Sequence, residues 1–388
     1  MDLLKQLTGK NPKDFEYAAK YVMDNADEKL FSELVEKDSF LFDFIKQNVA
    51  QRLTKATNDN NWKTVLSFLK YYSPSYEEFI CSTLAKYADE DLTDTMLDLL
   101  ENGSDSEKIY SAKFFSYIQD SLSIELLKQN SYSDNEFLNT NCAITLGVMG
   151  EESSYNEALE KLKSDDDFEV LMAVKFLINY GKKEALPFIL DVMKKSAMAE
   201  NIAGEIPYLV NLFEILETDF ESGLLVLNHI INGLGEILGL SQTIDYELFD
   251  VIEFLKGKLQ DSRVAVVLLN AREKFATLTD NDEYLFDENK NTKDEVYDIK
   301  KLIFSIDKKQ LLAKINDELR EDSLFVYTAL DFASDLEAIR KLLTCNNQTI
   351  ILKTAEVLKS LNNLDSTTKT VALLKITDEN IKTIIRAL

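Results

Sequence analysis

Residues 141–153 read NCAITLGVMGEES and hold two of the eleven glycines of this 388-residue chain. Small and apolar residues lead up to Gly147 and Gly150, and polar residues follow them. This order predicts the end of a helix rather than a nucleotide-binding loop. Gly147 would lie inside the helix, where a missing side chain lets a second helix approach. Gly150 would end it in the left-handed conformation that glycine adopts without strain.

The same pattern recurs about every thirty residues. YSAKFFSYIQD (110–120) and LMAVKFLINYGK (171–182) align with NCAITLGVMGE (141–151), and Cys81 and Leu84 match them one step earlier. A polar or glycine break and a second helical segment follow each stretch, so the sequence predicts a repeated unit of helix, turn and helix. Three alignment positions are apolar and predict a buried face: Ala112, Ala143 and Ala173; Phe115, Leu146 and Phe176; Tyr117, Val148 and Ile178.

The stretch CAITLGVMGEESSYNEALEKLKSDDDFEVLMAVKFLINYGKKEALPFILDV (142–192) resembles HEAT repeats. It is most similar to the short form named after phycobilin lyases. The resemblance covers 75–195 and extends to 323–388, where Ala355, Leu358 and Leu361 keep a similar register. The arginine that usually opens the first helix is absent, because Val170 is followed by Leu171. The resemblance implies an all-α solenoid in which second helices line a concave surface. It also resembles bacterial HEAT-repeat proteins with no assigned activity.

The periodicity predicts two helical arrays separated by an acidic segment. Residues 1–276 form the N-terminal array, 277–298 (TLTDNDEYLFDENKNTKDEVYD) form a long acidic loop, and 299–388 form the C-terminal array. The segment 299–315 that follows the loop is locally basic. Glycine and proline number only 11 and 4, which argues against an all-β protein because such a fold needs many turns.

The charge excludes some partners. The chain has 68 acidic and 43 basic residues and a formal net charge of −25, so nucleic acid and an anionic membrane surface would be repelled. A basic protein would be attracted. The cysteines, Cys81, Cys142 and Cys345, lack metal-binding spacing and predict buried, reduced thiols. The first residues show no signal-peptide pattern, which predicts a cytoplasmic protein.

Three segments could carry chemistry, and each has a simpler interpretation. Gly233–Gly239 reads as a loose GxGxxxG, but no strand–helix alternation surrounds it, so a buried helix with glycine notches is favoured over a dinucleotide site. Residues 287–298 place Asp287, Asn289, Asn291 and Asp298 in calcium-loop order, yet Thr292 replaces the required glycine. His229, the single histidine, stands among apolar residues and is interpreted as a hydrogen-bonded core or boundary residue.

The resemblance brings two enzyme classes into consideration. HEAT-like deoxyhypusine hydroxylases bind iron through His-Glu pairs, which this chain lacks. HEAT-like DNA glycosylases use a basic concave face, which the net charge opposes.

The favoured function is a non-enzymatic scaffold without metal or cofactor, whose acidic groove binds a protein with a basic surface. The residues expected to line the groove lie on second helices: Asp94, Asp98, Glu125, Glu157, Glu160 and Asp191. Two alternatives remain open: a small-molecule or chromophore-handling protein of the phycobilin-lyase type, and a self-assembling structural component.

Overall fold

The computed structural model describes residues 74–196, 198–233, 247–277, 292–320 and 325–388, together with a few single positions before residue 74. Within these ranges the chain forms helices and no strands, which confirms the all-α prediction. The chain divides into two compact units, Met1–Ala185 and Leu186–Leu388, called here the first and second units. This division falls inside the predicted N-terminal array.

The described helices of the first unit alternate between two sets. The first helices of the repeats stack in chain order, and each second helix packs against the first helix that follows it. The bounds are α1 Pro74–Ala85, α2 Glu90–Asn102, α3 Asp105–Ile118, α4 Ile124–Asn130, α5 Glu136–Val148, α6 Glu152–Lys161 and α7 Asp167–Tyr180. First helices are therefore α1, α3, α5 and α7. This order agrees with the predicted hairpin repeat, while its continuation into a solenoid stays a prediction.

Small and polar side chains bring neighbouring first helices into backbone contact. The Cys81 thiol donates to the carbonyl of Tyr110 at 3.2 Å, and the Thr145 hydroxyl donates to the carbonyl of Ala112 at 2.8 Å. Between α5 and α7, a Cβ built on Gly147 would lie 2.3 Å from the carbonyl oxygen of Tyr180. The predicted role of Gly147 in close helix approach is therefore confirmed.

The predicted helix ends are also confirmed. Gly150 has φ +66° and Gly181 has φ +84°, and both follow a first helix. The N–H of Glu151 donates to the carbonyl of Leu146, and that of Gly150 to the carbonyl of Gly147, each at 3.0 Å. These two bonds satisfy carbonyls at the end of α5 that would otherwise lack a helical partner.

The first two predicted apolar positions are buried, but the third is not uniformly so. Ala112, Ala143, Ala173, Phe115, Leu146 and Phe176 are at most 1% exposed. Tyr117 is 37% exposed and Val148 is 50% exposed, so their assignment to the core was wrong. Two residues along a helix rotate a side chain by about 200°, off the buried face. Ile178 is buried because α7 contacts other residues around most of its circumference.

The described α-helices of the second unit are shorter on average and are interrupted by 3₁₀ turns. Proline at position 207 breaks the segment 199–217 into α9, a 3₁₀ turn and α10, where sequence periodicity predicted continuous helix. The bounds are α8 Leu186–Met193, α9 Ala199–Glu205, α10 Leu212–Thr218, α11 Phe220–Gly233, α12 Glu247–Lys256, α13 Ser262–Thr277, α14 Thr292–Ser305, α15 Lys308–Lys314, α16 Val326–Phe332, α17 Leu336–Lys341, α18 Gln348–Ser360, α19 Ser366–Lys375 and α20 Glu379–Ala387.

In the second unit, too, helices pack against helices that are not their immediate neighbours in the chain. Helix α11 packs against α9 and α13, α13 contacts α15 and α16, and α16 contacts α18. Ala355 and Leu358 of α18 are buried as predicted, whereas Leu361 just beyond its end is exposed.

The predicted acidic loop is described only in part. Residues 278–291 lie outside the described ranges, so the division into arrays 1–276 and 299–388 stays a prediction. Helix α14 begins at Thr292, which makes the last residues of the predicted loop helical.

Candidate functional site

The six carboxylates predicted to bind a partner all lie on second helices and are all exposed. Asp94 and Asp98 belong to α2, Glu125 to α4, and Glu157 and Glu160 to α6. Asp191 lies on α8 in the second unit. The helix faces follow from composition: in α2, Leu92, Met96 and Leu100 are buried, which turns Asp94 and Asp98 towards solvent.

Four of these carboxylates have a partner on or next to their own helix. Glu157 pairs with Lys161 at 3.1 Å, Glu160 with Lys163 at 2.7 Å, and Asp191 with Lys195 at 2.7 Å. Asp98 accepts a hydrogen bond from the Asn102 amide at 2.9 Å. Exposed pairs of this kind contribute little to stability, so a basic partner could displace them at small cost.

Acidic residues are in excess in both units, each of which contains 34 of them, against 20 basic residues in the first unit and 23 in the second. Residues 74–185 contain 23 acidic side chains, nine lysines and no arginine. Residues 299–388 contain 12 acidic and 14 basic side chains. Residues 186–298 contain 22 acidic and nine basic side chains, so the acidic excess of the chain is shared between the repeats around the predicted site and the segment that follows them.

Several lysines of the first unit are engaged in holding helices together. Lys113 of α3 pairs with Glu78 of α1 at 3.0 Å, and Lys175 of α7 pairs with Glu136 of α5 at 2.9 Å. The Tyr117 hydroxyl also donates to Glu78. The hydrogen bonds that Glu78 accepts from Tyr117 and Lys113 lower the pKa of its carboxyl group.

Glu151 caps the second helix α6. Its carboxylate accepts the backbone N–H of Ser154 at 2.7 Å and the Ser153 hydroxyl at 2.9 Å, and lies 3.3 Å from the Lys128 ammonium. Burial by itself would raise the pKa of Glu151, but these three partners outweigh it and lower the pKa to about 2. By residue type alone, Ser153 and Ser154 would be expected to cap this helix. That was wrong, because the carboxylate two and three residues earlier takes the helix N–H.

Two exposed phenylalanines lie on first helices of the first unit, and the repeat pattern of the sequence did not single them out. Phe137 is 52% exposed and Phe168 is 61% exposed. They are the second residues of α5 and α7, each preceded by an acidic first residue, Glu136 and Asp167. Exposed aromatic side chains are typical anchors of protein interfaces. A signal for them was present in the sequence. Each aromatic residue follows a helix N-cap by two positions and lies off the apolar face of its helix.

The second unit contains a separate cavity of about 350 Å³ between α9, α11 and the start of α16. Its wall on α11 includes Asn228, His229 and Asn232, and its wall on α9 includes Glu200. His229 is half-buried at this wall and makes no hydrogen bond within the described ranges. Of the two predicted positions, core or boundary, His229 therefore takes the boundary position, and the expected hydrogen bond is not found within the described ranges.

The motifs considered for nucleotide and calcium binding are not supported where they can be described. The segment before Gly233 is helix α11, not the strand that a dinucleotide motif needs. Asp298 lies in α14, and the helix already starts at Thr292, the sixth calcium-loop position, where a sharp turn is required. Asp287, Asn289 and Asn291 lie outside the described residues. In the described ranges, no group of three or more His, Cys, Asp or Glu side chains could hold a metal ion.

The three cysteines are buried and free, as predicted. Burial raises the pKa of both Cys81 and Cys142.

Among the described helices, none is both long and apolar enough to cross a membrane.

Neither a known protein family nor a curated protein matches the chain. The resemblance to HEAT repeats therefore stays a prediction based on the residues themselves.

Proposed function

We propose that this protein is a non-enzymatic interaction scaffold whose first unit binds a protein with a basic surface. The observation that supports the proposal is the exposure of five predicted carboxylates on second helices within residues 74–185, a range that holds 23 acidic and nine basic side chains and also exposes Phe137 and Phe168. Such a surface attracts lysine and arginine from a distance, and exposed aromatics give the docked partner an apolar contact.

The proposed binding has two stages. Long-range attraction by the acidic surface raises the association rate, and short-range contact with the phenylalanines slows dissociation. The lysines paired with Glu157 and Glu160 would release these carboxylates to the partner's cations. No covalent chemistry is required of any residue.

The experiment compares two variants of the full-length chain. One replaces the predicted carboxylates of the first unit: Asp94→Asn, Asp98→Asn, Glu125→Gln, Glu157→Gln and Glu160→Gln. The control removes five exposed carboxylates of the second unit: Glu217→Gln, Asp250→Asn, Glu253→Gln, Glu337→Gln and Glu356→Gln. Both change the net charge by the same amount, so only the position of the charge differs.

Each tagged chain captures proteins from the native cell at low salt, and the retained proteins are identified by mass spectrometry. The proposal expects one basic protein that the wild type and the control retain, that high salt releases, and that the first-unit variant fails to retain. Equal retention by both variants would show that overall charge, not this surface, is responsible. Association of the chain with itself in solution would favour the structural alternative.

A second function, handling of a small molecule, is favoured by one observation. The cavity of the second unit has the volume of a small-ligand pocket and carries polar groups on facing helices.

A further inference from the structure

We propose that the cavity of the second unit binds a small organic amine that also carries a hydrogen-bond acceptor. The amine would lie against Glu200 of α9, and the acceptor against the side-chain amides of Asn228 and Asn232 of α11. This site is independent of the acidic surface of the first unit.

A hydrogen-bond network that is buried at Asn228 and exposed at Asn232 orients the two amides of α11. The Asn270 amide of α13 donates to Oδ1 of Asn228 at 2.8 Å and to Oδ1 of Asn232 at 2.7 Å. Asn228 and Asn270 are each only 9% exposed. Each oxygen accepts a hydrogen bond from Asn270, which fixes the orientation of the two amides and leaves their Nδ2 groups as donors for a ligand.

These donors are suited to a single acceptor group. Asn228 and Asn232 are four residues apart on one helix and line the same cavity, so their amides lie one turn apart. The Nδ2 of Asn228 has no hydrogen-bond partner within the described residues. A carbonyl or hydroxyl oxygen of a ligand could accept a hydrogen bond from it.

The opposite wall carries the charge. Glu200 of α9 is exposed and lines the cavity, and among the described lining residues it is the one carboxylate, with no lysine or arginine. A carboxylate or phosphate ligand would therefore meet repulsion without a compensating cation, whereas an ammonium group would be attracted. Tyr327 and Thr328 add hydroxyl groups at the third wall.

The space between the walls depends on a glycine. A Cβ at Gly204 of α9 would lie 2.9 Å from Nε2 of His229, so the imidazole occupies the position that a side chain would take. Ala199, Ala203 and Leu225 provide apolar surface for the rest of a ligand. A cavity of about 350 Å³ suits a ligand of roughly ten to fifteen non-hydrogen atoms.

Amino-acid amides are matched probes, because they combine an amine with a carbonyl acceptor. The full-length chain is titrated in a calorimeter with L-alaninamide, L-leucinamide and L-phenylalaninamide. Two further probes separate the contributions: phenethylamine lacks the carbonyl, and N-acetyl-L-phenylalaninamide lacks the cation. The expected result is binding of at least one of the three amides, with at least tenfold weaker binding of both incomplete probes.

Variants then place the binding in this cavity. Glu200→Gln should weaken binding of the amino-acid amide at least tenfold. The amide should then bind no more tightly than the N-acetyl probe. Ala203→Met, which fills the cavity, should abolish binding, while Glu217→Gln on α10 should leave it unchanged. Thermal unfolding confirms that each variant is folded. Failure of all three amides to bind, or equal binding to the Ala203→Met and wild-type chains, would overturn the proposal.

Discussion

Gly147 and the carbonyl group of Tyr180 lie in direct backbone contact between α5 and α7. A Cβ at Gly147 would lie 2.3 Å from the oxygen and 3.0 Å from the carbonyl carbon, far inside van der Waals distance. Since the obstacle is backbone, a rotamer change cannot relieve the clash. The two helices would have to move apart. This would disrupt one of the interfaces on which the stack of repeats depends.

Gly147→Ala should therefore be strongly destabilising. We expect the free energy of unfolding to fall by about 3 kcal/mol, the upper range for overpacked cores. The matched control is Gly150→Ala, where no atom lies within 4 Å but φ is +66°. That change should cost only about 1 kcal/mol, the price of a left-handed alanine. Urea unfolding of both variants tests this order, and a smaller loss for Gly147→Ala would contradict it.

Glu151 should make stability depend on pH. Its folded pKa of about 2 lies below the ordinary value of 4.5, so its stabilisation is complete above about pH 5 and is lost as the pH falls towards 2. Because the carboxylate is partly screened by solvent, we expect Glu151→Gln to cost about 1 to 2 kcal/mol at pH 7.

The difference between wild type and Glu151→Gln should shrink as the pH is lowered through this window. Unfolding curves at pH 7, 4 and 3 measure it. Glu157→Gln is the control, because Glu157 is exposed and its partner Lys161 is a neighbour on the same helix. A pH-independent difference for Glu151→Gln would contradict the assignment of the cap.

Tyr180→Phe should not destabilise the protein. The hydroxyl of Tyr180 is buried and has no hydrogen-bond partner in the part of the chain that the structure describes, so its removal deletes a desolvated polar group while the ring remains. We expect a gain of up to about 1 kcal/mol. Tyr117→Phe, which removes the hydroxyl that donates to Glu78, should instead lower stability by about 0.5 kcal/mol. Thermal unfolding of the two variants should give shifts of opposite sign.

Phe137 and Phe168 should matter for binding rather than for folding. Because both are more than half exposed, replacing them together with serine should change the free energy of unfolding by less than about 1 kcal/mol. The same change should speed dissociation of the partner at least tenfold, with little effect on its association rate. A large loss of stability would show that these side chains support the fold.

The local rules of the fold could be predicted from the sequence. Ala112, Ala143 and Ala173 marked the buried face, and Gly150 and Gly181 marked helix ends, because these depend on spacing within one helix. Tyr117 and Val148 were misplaced because their offset leaves that face. Glu151 was missed as a cap because a serine pair next to it fits the capping preference equally well.

The cavity was beyond sequence reasoning for a different reason. It combines Glu200, Asn228 and Tyr327, which are separated by up to about 130 positions. The orientation of Asn228 depends on Asn270, on another helix. A periodic pattern within one stretch of sequence does not show which residues of different helices meet at a cavity.

The most direct test of the proposed scaffold is the association rate constant of the captured basic protein, measured as a function of salt concentration. The wild type and the second-unit control should show a steep decrease in rate from low to high salt, and the five-carboxylate variant of the first unit should show a slower rate and a shallower decrease. An association rate that is insensitive to salt, or that is the same for both five-carboxylate variants, would contradict binding through the acidic surface of the first unit.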